Sequence, residues 1–362
     1  MPRSVSRANG RAPPRRPVRR ARGRERARDL IVIGASAGGV EALRRLTADL
    51  PPDLRAGVVV VLHLAPGAAS GLPAILGRSG ALAASHARDR ESLLPGHIYV
   101  APPDRHVVVS DGVLRLTSGP RENLARPAID PLFRSAAREH GGHVIGVVLS
   151  GLLDDGSAGL LSIRRAGGVA VVQEPEDALY ADMPRHALAI AGADHVVKIA
   201  DMGSLLDELS RGKVKPMAHE TERRLTPAEG GASGEPPGHP SPFSCPECGG
   251  VLWEAEGNGS TLRFECRVGH AYGSESLAAD ESGKIEEALW AALRAVEERA
   301  ALSRRLASRA REDRHAKTAA RFDEQAAEHE RAAVTLRGLL GAPPSHATAR
   351  VRERVVPAEH VR

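Results

Sequence analysis

Four apolar residues, Leu30 to Ile33, run directly into Gly34-Ala-Ser-Ala-Gly-Gly39 and then into Val40-Glu-Ala-Leu-Arg-Arg-Leu46. The apolar run reads as a buried strand, and the last segment has helical spacing. A strand, a glycine-rich turn and a helix in that order place Ser36 on a sharp strand-to-helix turn. Such a turn holds a hydroxyl clear of the sheet. The first amides of the helix lack intrahelical partners and can face a developing oxyanion. The spacing G-x-S-x-G over residues 34–38 is that of a serine nucleophile elbow. A glycine-rich loop after a first strand can also cradle a dinucleotide pyrophosphate. That pattern wants glycine where this chain has Ser36, so the nucleophile reading is preferred.

The rest of residues 29–210 alternates in the same way. Strands are expected at 30–34, 57–62, 97–101, 106–110, 113–117, 143–149, 169–172 and 195–198. Helices are expected at 40–49, 71–79, 131–140, 157–166, 184–191 and 203–210. The runs at 57–62 and 143–149 are apolar throughout, as in a parallel sheet covered on both faces. Val107 to Leu116, turning at Asp111-Gly112, reads as an inserted β-hairpin. The predicted fold class is α/β: a doubly wound, mostly parallel, Rossmann-like sheet.

In such sheets the ligand crevice lies beyond the carboxyl ends of the strands. The strand at 57–62 leads into His63, and the strand at 143–149 leads into Ser150-Gly-Leu-Leu-Asp-Asp-Gly156. A serine, a histidine and one of two aspartates therefore each fall past a strand end, and these are the residue types of a hydrolase triad. The chain order is Ser, His, Asp, whereas α/β-hydrolases run Ser, Asp, His. An ordinary lipase-like enzyme is excluded. Asp155 has a second reading as the cap of the helix at 157–166, Asp130 is expected to cap the helix at 131–140, and His97 and His106 read as fold residues.

Five segments carry a closer likeness: Ile33-Gly-Ala-Ser-Ala-Gly-Gly39, Leu62-His63, Leu94-Pro-Gly-His-Ile-Tyr-Val-Ala-Pro-Pro-Asp104 with His106, Arg126-Pro-Ala-Ile-Asp130, and Gly151-Leu-Leu-Asp-Asp-Gly-Ser-Ala-Gly159. In this order they resemble the catalytic domain of the CheB-type chemoreceptor protein-glutamate methylesterases. The resemblance implies Ser36 as nucleophile, His63 as general base and Asp155 as its partner. It implies hydrolysis of γ-glutamyl methyl esters on a methylated chemoreceptor-like protein, with release of methanol, and in some members deamidation of receptor glutamines. Ala37, Gly38, Arg126 and Leu152 are the expected substrate contacts, and no cofactor is expected for catalysis. Two departures bear on substrate fit. Well-known members have Thr where this chain has Ala37, and Gly-Met-Gly-Asn-Asp-Gly where it has residues 151–156. Only an Arg-rich arm precedes the first strand, so no receiver domain is expected. A signalling regulator acting in trans is one expected partner. A scaffold protein that binds rather than turns over its target is the alternative.

The formal charge of +5 misrepresents the globular part. Residues 1–28 hold eleven arginines and one acid, so the other 39 basic and 44 acidic residues leave the remainder at −5. That arm cannot build a core and reads as disordered, with no specific nucleic-acid partner expected. No 18-residue apolar run offers a membrane span, and three cysteines make no disulfide framework, which fits the cytoplasm. Residues 211–242 read as a flexible linker. Beyond it, Cys245, Cys248, Cys266 and His270 are spaced C-x2-C, seventeen residues, C-x3-H, around a hairpin turning near Gly257-Asn-Gly259. That is a Cys3His set for structural zinc, in a zinc-ribbon-like module at 243–280. Over 281–341, Leu289, Ala292, Val296, Ser303, Leu306 and Ala310, and then Phe322, Ala326, His329, Ala333, Leu336 and Leu340, follow a near-heptad rhythm. A helical hairpin or a self-associating coiled coil would bury both stripes. Residues 342–362 read as a disordered tail.

Overall fold

The computed structural model describes residues 27–63, 70–212, 238–256 and 262–341. Most of the Arg-rich arm and of the linker, the Gly257–Gly259 turn and the C-terminal tail lie outside the described residues. The chain divides into two compact units. One comprises residues 1–118, 126–152 and 156–227, and the other residues 119–125, 153–155 and 228–362. The boundary expected near residue 210 is therefore incomplete, because two short pieces of the α/β region group with the C-terminal part.

The first unit runs β1 (Leu30–Ala35), α1 (Gly39–Ala48), β2 (Gly57–Leu62), α2 (Leu72–Ser79), β3 (Ala83–His86), β4 (Glu91–Ser92), β5 (His97–Val100), β6 (His106–Ser110) and β7 (Val113–Thr117). It continues with α3 (Ile129–His140), β8 (Val144–Val148), α4 (Ser157–Arg165), β9 (Val169–Gln173), α5 (Asp182–Ile190), β10 (His195–Val197) and α6 (Ile199–Arg211). Seven strands form one sheet in the order β10-β9-β8-β1-β2-β5-β3. All its pairings are parallel. The order reverses at β1, which lies between β2 and β8. Alternate residues of β1 enter different cores. Ile31 and Ile33 pack with Leu43, Leu46 and Leu206 on one face, and Leu30 and Val32 with Ile129, Phe133 and Leu160 on the other. Burial on both faces explains why β1, β2 and β8 lack polar alternation.

β6 and β7 form the expected hairpin, with Asp111 and Gly112 both at positive φ, and β4 extends it to three strands. β3 and β4 escape sequence reading because neither carries a clear apolar alternation; both are edge strands, shaped by their neighbours rather than by their own pattern.

The second unit holds a four-stranded antiparallel sheet, β11 (His239–Ser244), β12 (Val251–Glu256), β13 (Leu262–Cys266) and β14 (Ala271–Gly273). Two helices follow, α7 (Ser274–Glu312) and α8 (Ala316–Leu339). Ion pairs Glu297–Arg337, Arg304–Glu330 and Arg311–Asp323 match successively later residues of α7 with successively earlier residues of α8, so the helices run antiparallel. On α8, Ala326 and Ala333 of the expected stripe are buried and Phe322, His329, Leu336 and Leu340 are half-buried; Ala319, outside the stated stripe, is buried as well. On α7 the expected stripe is met at Ser303 and Ala310 and displaced at Ala292 and Leu306. Leu293, Ala300, Ser303, Ala307 and Ala310 are buried, while Ala292 is exposed and Leu306 is 37% exposed. Small side chains permit close approach of the two backbones, so Ala307 takes the position that hydrophobicity alone assigns to Leu306. No described helix is long and apolar enough to cross a membrane.

Leu46 is fully buried between α1 and the sheet. Leu46→Ala is expected to lower stability by about 2–5 kcal/mol in urea unfolding, through lost burial and a residual cavity.

Candidate active site

β1 pairs with β2 in register through Ala35↔Leu62 and with β8 through Gly34↔Val148, so three adjacent strands end at one level. The residues just beyond them form the site. Ser36 follows β1 and precedes α1. Its amide donates to Ser150 O at 3.0 Å, and its carbonyl accepts from Gly39 N at 2.9 Å. His63 follows β2, and its amide donates to Ala35 O at 3.2 Å. These bonds bring His63 Nδ1 to 3.2 Å from Ser36 Oγ. For Nδ1 to accept the serine proton, the neutral ring must carry its own proton on Nε2. Both side chains are only partly buried, so the pair is reachable from solvent.

The turn is braced by residues that sequence reasoning did not single out. Ser150 Oγ donates to Ala37 O at 2.8 Å and accepts from Tyr180 N at 3.0 Å, while Ser150 N donates to Gln173 Oε1 at 3.0 Å. Gly151 passes so close to Ser36 that an added Cβ would lie 2.9 Å from Ser36 Cβ and 2.0 Å from Met183 Sδ. The signal for Ser150 and Gly151 lay in their place just beyond β8. Gln173 and Met183 carried none, because their role depends on β9 and α5 reaching the same sheet end. An open crevice of about 400 Å³ adjoins the bracing residues Ser150 and Gln173 and is lined also by Gly38, Glu41, Arg45 and Leu179; Ser36 and His63 are not among the residues that line it. Hydrogen bonds from Arg44 and Arg45 push Glu41 down to about 2, so its carboxylate is ionised throughout the neutral range.

The remaining expected residues fall as follows. Asp155 precedes Gly156, which caps α4 at positive φ without a side-chain cap. The cap position is therefore Gly156 and not Asp155, whose Oδ1 accepts from Asn123 Nδ2 at 2.8 Å. Asp130 does not cap its own helix, which starts one residue earlier behind Ala128. It is buried and takes the amide of Gly159 in the first turn of α4 at 2.7 Å, capping a neighbouring helix instead. His106 Nδ1 accepts from Ala128 N and His97 Nε2 meets Ser85 Oγ, so both are tied into the fold. Arg126 forks onto Asp104 at 2.7–2.8 Å. Gly38 is left-handed at φ 73°, next to Ala37, and Leu152 is 45% exposed.

Cys245, Cys248, Cys266 and His270 converge, with their ligand atoms all within 4.8 Å of one another. Cys248 Sγ and Cys266 Sγ stand 3.7 Å apart, and His270 Nδ1 lies 3.3 Å from Cys266 Sγ and 3.6 Å from Cys245 Sγ. Each Cys turn closes through a glycine at positive φ, Gly249 and Gly269. Burial pushes the Cys266 thiol up to about 11. Burial acts the same way on Cys245, but the Tyr272 hydroxyl and neighbouring amides stabilise its thiolate and bring it below the usual thiol range.

The family model described as CheB methylesterase matches residues 31–206. The span covers the Ser36 turn, His63 and the loop after β8. Residues 31–206 form a CheB methylesterase domain. A protein-glutamate methylesterase/protein-glutamine glutaminase of Burkholderia lata is 40% identical over 177 residues, covering 48% of either chain. One from Anaeromyxobacter dehalogenans is 38% identical over 183 residues, covering 51% of this chain and 54% of its own. The chain thus spans about half the length of the curated relatives it matches. A crystal structure of the Thermotoga maritima CheB methylesterase catalytic domain aligns with a TM-score of 0.48 and 30% identity, covering 50% of this chain and 98% of that one.

An added Cβ at Gly38 would lie 2.7 Å from Ser150 Oγ, on a backbone already in the left-handed region. Gly38→Ala is expected to destabilise the CheB methylesterase domain by at least ~1–2 kcal/mol, read by denaturant unfolding. An unchanged midpoint would contradict this turn geometry.

Proposed function

We propose that this chain is a protein-glutamate methylesterase acting on a methylated chemoreceptor-like protein. The observation that carries the reading is Ser36 Oγ at 3.2 Å from His63 Nδ1, at the carboxyl end of the switch-point strand of a CheB methylesterase domain. Ser36 Oγ attacks the γ-glutamyl ester carbonyl as His63 Nδ1 takes its proton. The oxyanion faces amides at the start of α1. Collapse of the tetrahedral intermediate breaks the C–O bond, and methanol leaves with the proton from His63. Water, deprotonated by His63, then hydrolyses the Ser36 ester to free glutamate. Asp155 orients His63 and stabilises its charged form. The same steps on a glutamine side chain would release ammonia.

A protein substrate is supported by the surface near Ser36. Val40, Leu152, Leu179 and Tyr180 are 43%, 45%, 74% and 42% exposed. Apolar residues left in water around a nucleophile suit a protein face more than a small polar ester. Ala37, Gly38, Leu152 and Arg126 are the proposed contacts; Arg126 would have to share or leave Asp104 to meet an acidic receptor side chain. Cytoplasmic location, control by a regulator in trans and self-association through α7 and α8 belong to the same reading.

The β11–β14 sheet reads as a zinc-ribbon-like module. Four ligands around zinc with Zn–S near 2.3 Å place sulfurs about 3.8 Å apart, and the Cys248–Cys266 separation of 3.7 Å fits this geometry. It is far too long for a disulfide. Four protein ligands leave no open position, so the metal would be structural.

Ser36→Ala and His63→Ala are expected to abolish methanol release from a methylated receptor while leaving the fold intact, with more activity remaining in Asp155→Asn. Full activity in Ser36→Ala would end the esterase reading. Independently, elemental analysis should find about one zinc per chain, lost in the Cys245→Ser/Cys248→Ser variant. Metal-free protein from zinc-replete cells would remove the zinc assignment.

A further inference from the structure

Asp154 and Asp155 belong, with residues 119–125, to the compact unit that also contains the Cys3His sheet. Inside that unit Asn123 joins three separate pieces of chain. Its Nδ2 donates to Asp155 Oδ1 at 2.8 Å, its Oδ1 accepts from Gly273 N at 2.8 Å, and its backbone N–H donates to Ala271 O at 2.8 Å. Asn123 and Asp155 are 8% and 2% exposed, so water competes little for these bonds. The neighbouring carboxylate is held where β14 passes into α7. Ser276 Oγ donates to Asp154 Oδ1 at 2.6 Å, and Gly273 packs so tightly that an added Cβ would lie 2.1 Å from Asp154 Oδ2. Asn123 also sits at φ 49°, a left-handed conformation that Asn tolerates better than most residues.

The geometry points to Asn123 as the positioning residue for Asp155, and to β14 as the element that holds Asn123 in place. The inference rests on the reading that Asp155 orients His63. It adds a task for the C-terminal sheet. The Ala271 carbonyl and the Gly273 amide follow directly on His270, so the strand next to the Cys3His cluster carries both backbone groups that fix Asn123. An amide side chain suits the task because it donates to a carboxylate and accepts from a backbone N–H at once. A carboxylate at 123 could still accept from Gly273 but would repel Asp155. Glycine would keep the left-handed backbone and lose both side-chain bonds.

The test uses the full chain and p-nitrophenyl acetate, with Ser36→Ala as the control for triad-dependent turnover. Asn123→Gly and Asn123→Asp should each lower kcat between about tenfold and a hundredfold, with KM within about twofold, as expected for a displaced orienting group. Placed on Asp155→Asn, Asn123→Gly should cost less than about a further twofold, because both changes remove one unit. The imidazole NMR signals of His63, assigned with His63→Gln, should move in Asn123→Gly in the same direction as in Asp155→Asn, because both variants would release the same orienting group. Losses that multiply across the double variant, or an unchanged kcat, overturn the inference while Ser36-dependent turnover persists. Absence of Ser36-dependent turnover in the wild type overturns the esterase reading instead; the His63 imidazole signals then still decide the role of Asn123, and unmoved signals in Asn123→Gly reject it.

Discussion

The in-register pairing of β1 between β2 and β8 is the constraint on which the rest of the catalytic unit depends. Parallel pairing aligns the carboxyl ends of neighbouring strands, so residues just past those ends meet although they are far apart in sequence. Ser36 and His63 are 27 positions apart and 3.2 Å apart in space for this reason. The backbone bonds Ser36 N–Ser150 O and His63 N–Ala35 O continue the strand ladder one step into the loops. The reacting groups are thus held by main chain, which moves less than side chains do.

Around this line of strand ends the structure uses small residues for proximity and polar residues for bracing. Gly38, Gly39 and Gly151 let the β1 turn, Leu62 and the loop after β8 pack at distances no Cβ would permit. Ser150 and Gln173 then satisfy the backbone groups that such a tight turn leaves over. Asp130 serves α4 in the same way, from a neighbouring helix. Rigidity at the nucleophile therefore rests on several strands and helices together, which fits preorganisation ahead of a tetrahedral transition state.

Most strands and helices of the α/β unit were legible because a covered parallel sheet and an amphipathic helix write different periods into the sequence. The short edge strands β3 and β4 were not, since an edge strand is shaped by its neighbour more than by its own residues. The α7 stripe was met at Ser303 and Ala310 but displaced by one position at Leu306, because hydrophobicity favours Leu306 where close helix packing favours Ala307. The capping readings of Asp130 and Asp155 failed for a related reason. Local spacing offers each a cap on the next helix, and only tertiary contacts offer the amide of Gly159 to one and the side chain of Asn123 to the other.

What the sequence by itself determined is the local chemistry: a serine on a strand-to-helix turn, a histidine and an aspartate past strand ends, and a C-x2-C…C-x3-H set of ligands. These follow from residue types at short spacings, and short spacings are enough to set a turn, a strand or a chelate. Tertiary structure alone decided which nitrogen of His63 meets Ser36, which residues brace the nucleophile, and that residues 119–125 and 153–155 group with the C-terminal sheet rather than with the strands beside them in sequence. Those outcomes turn on hydrogen bonds between groups up to 150 residues apart, such as Asn123 to Gly273, and no local pattern encodes a partner at that distance.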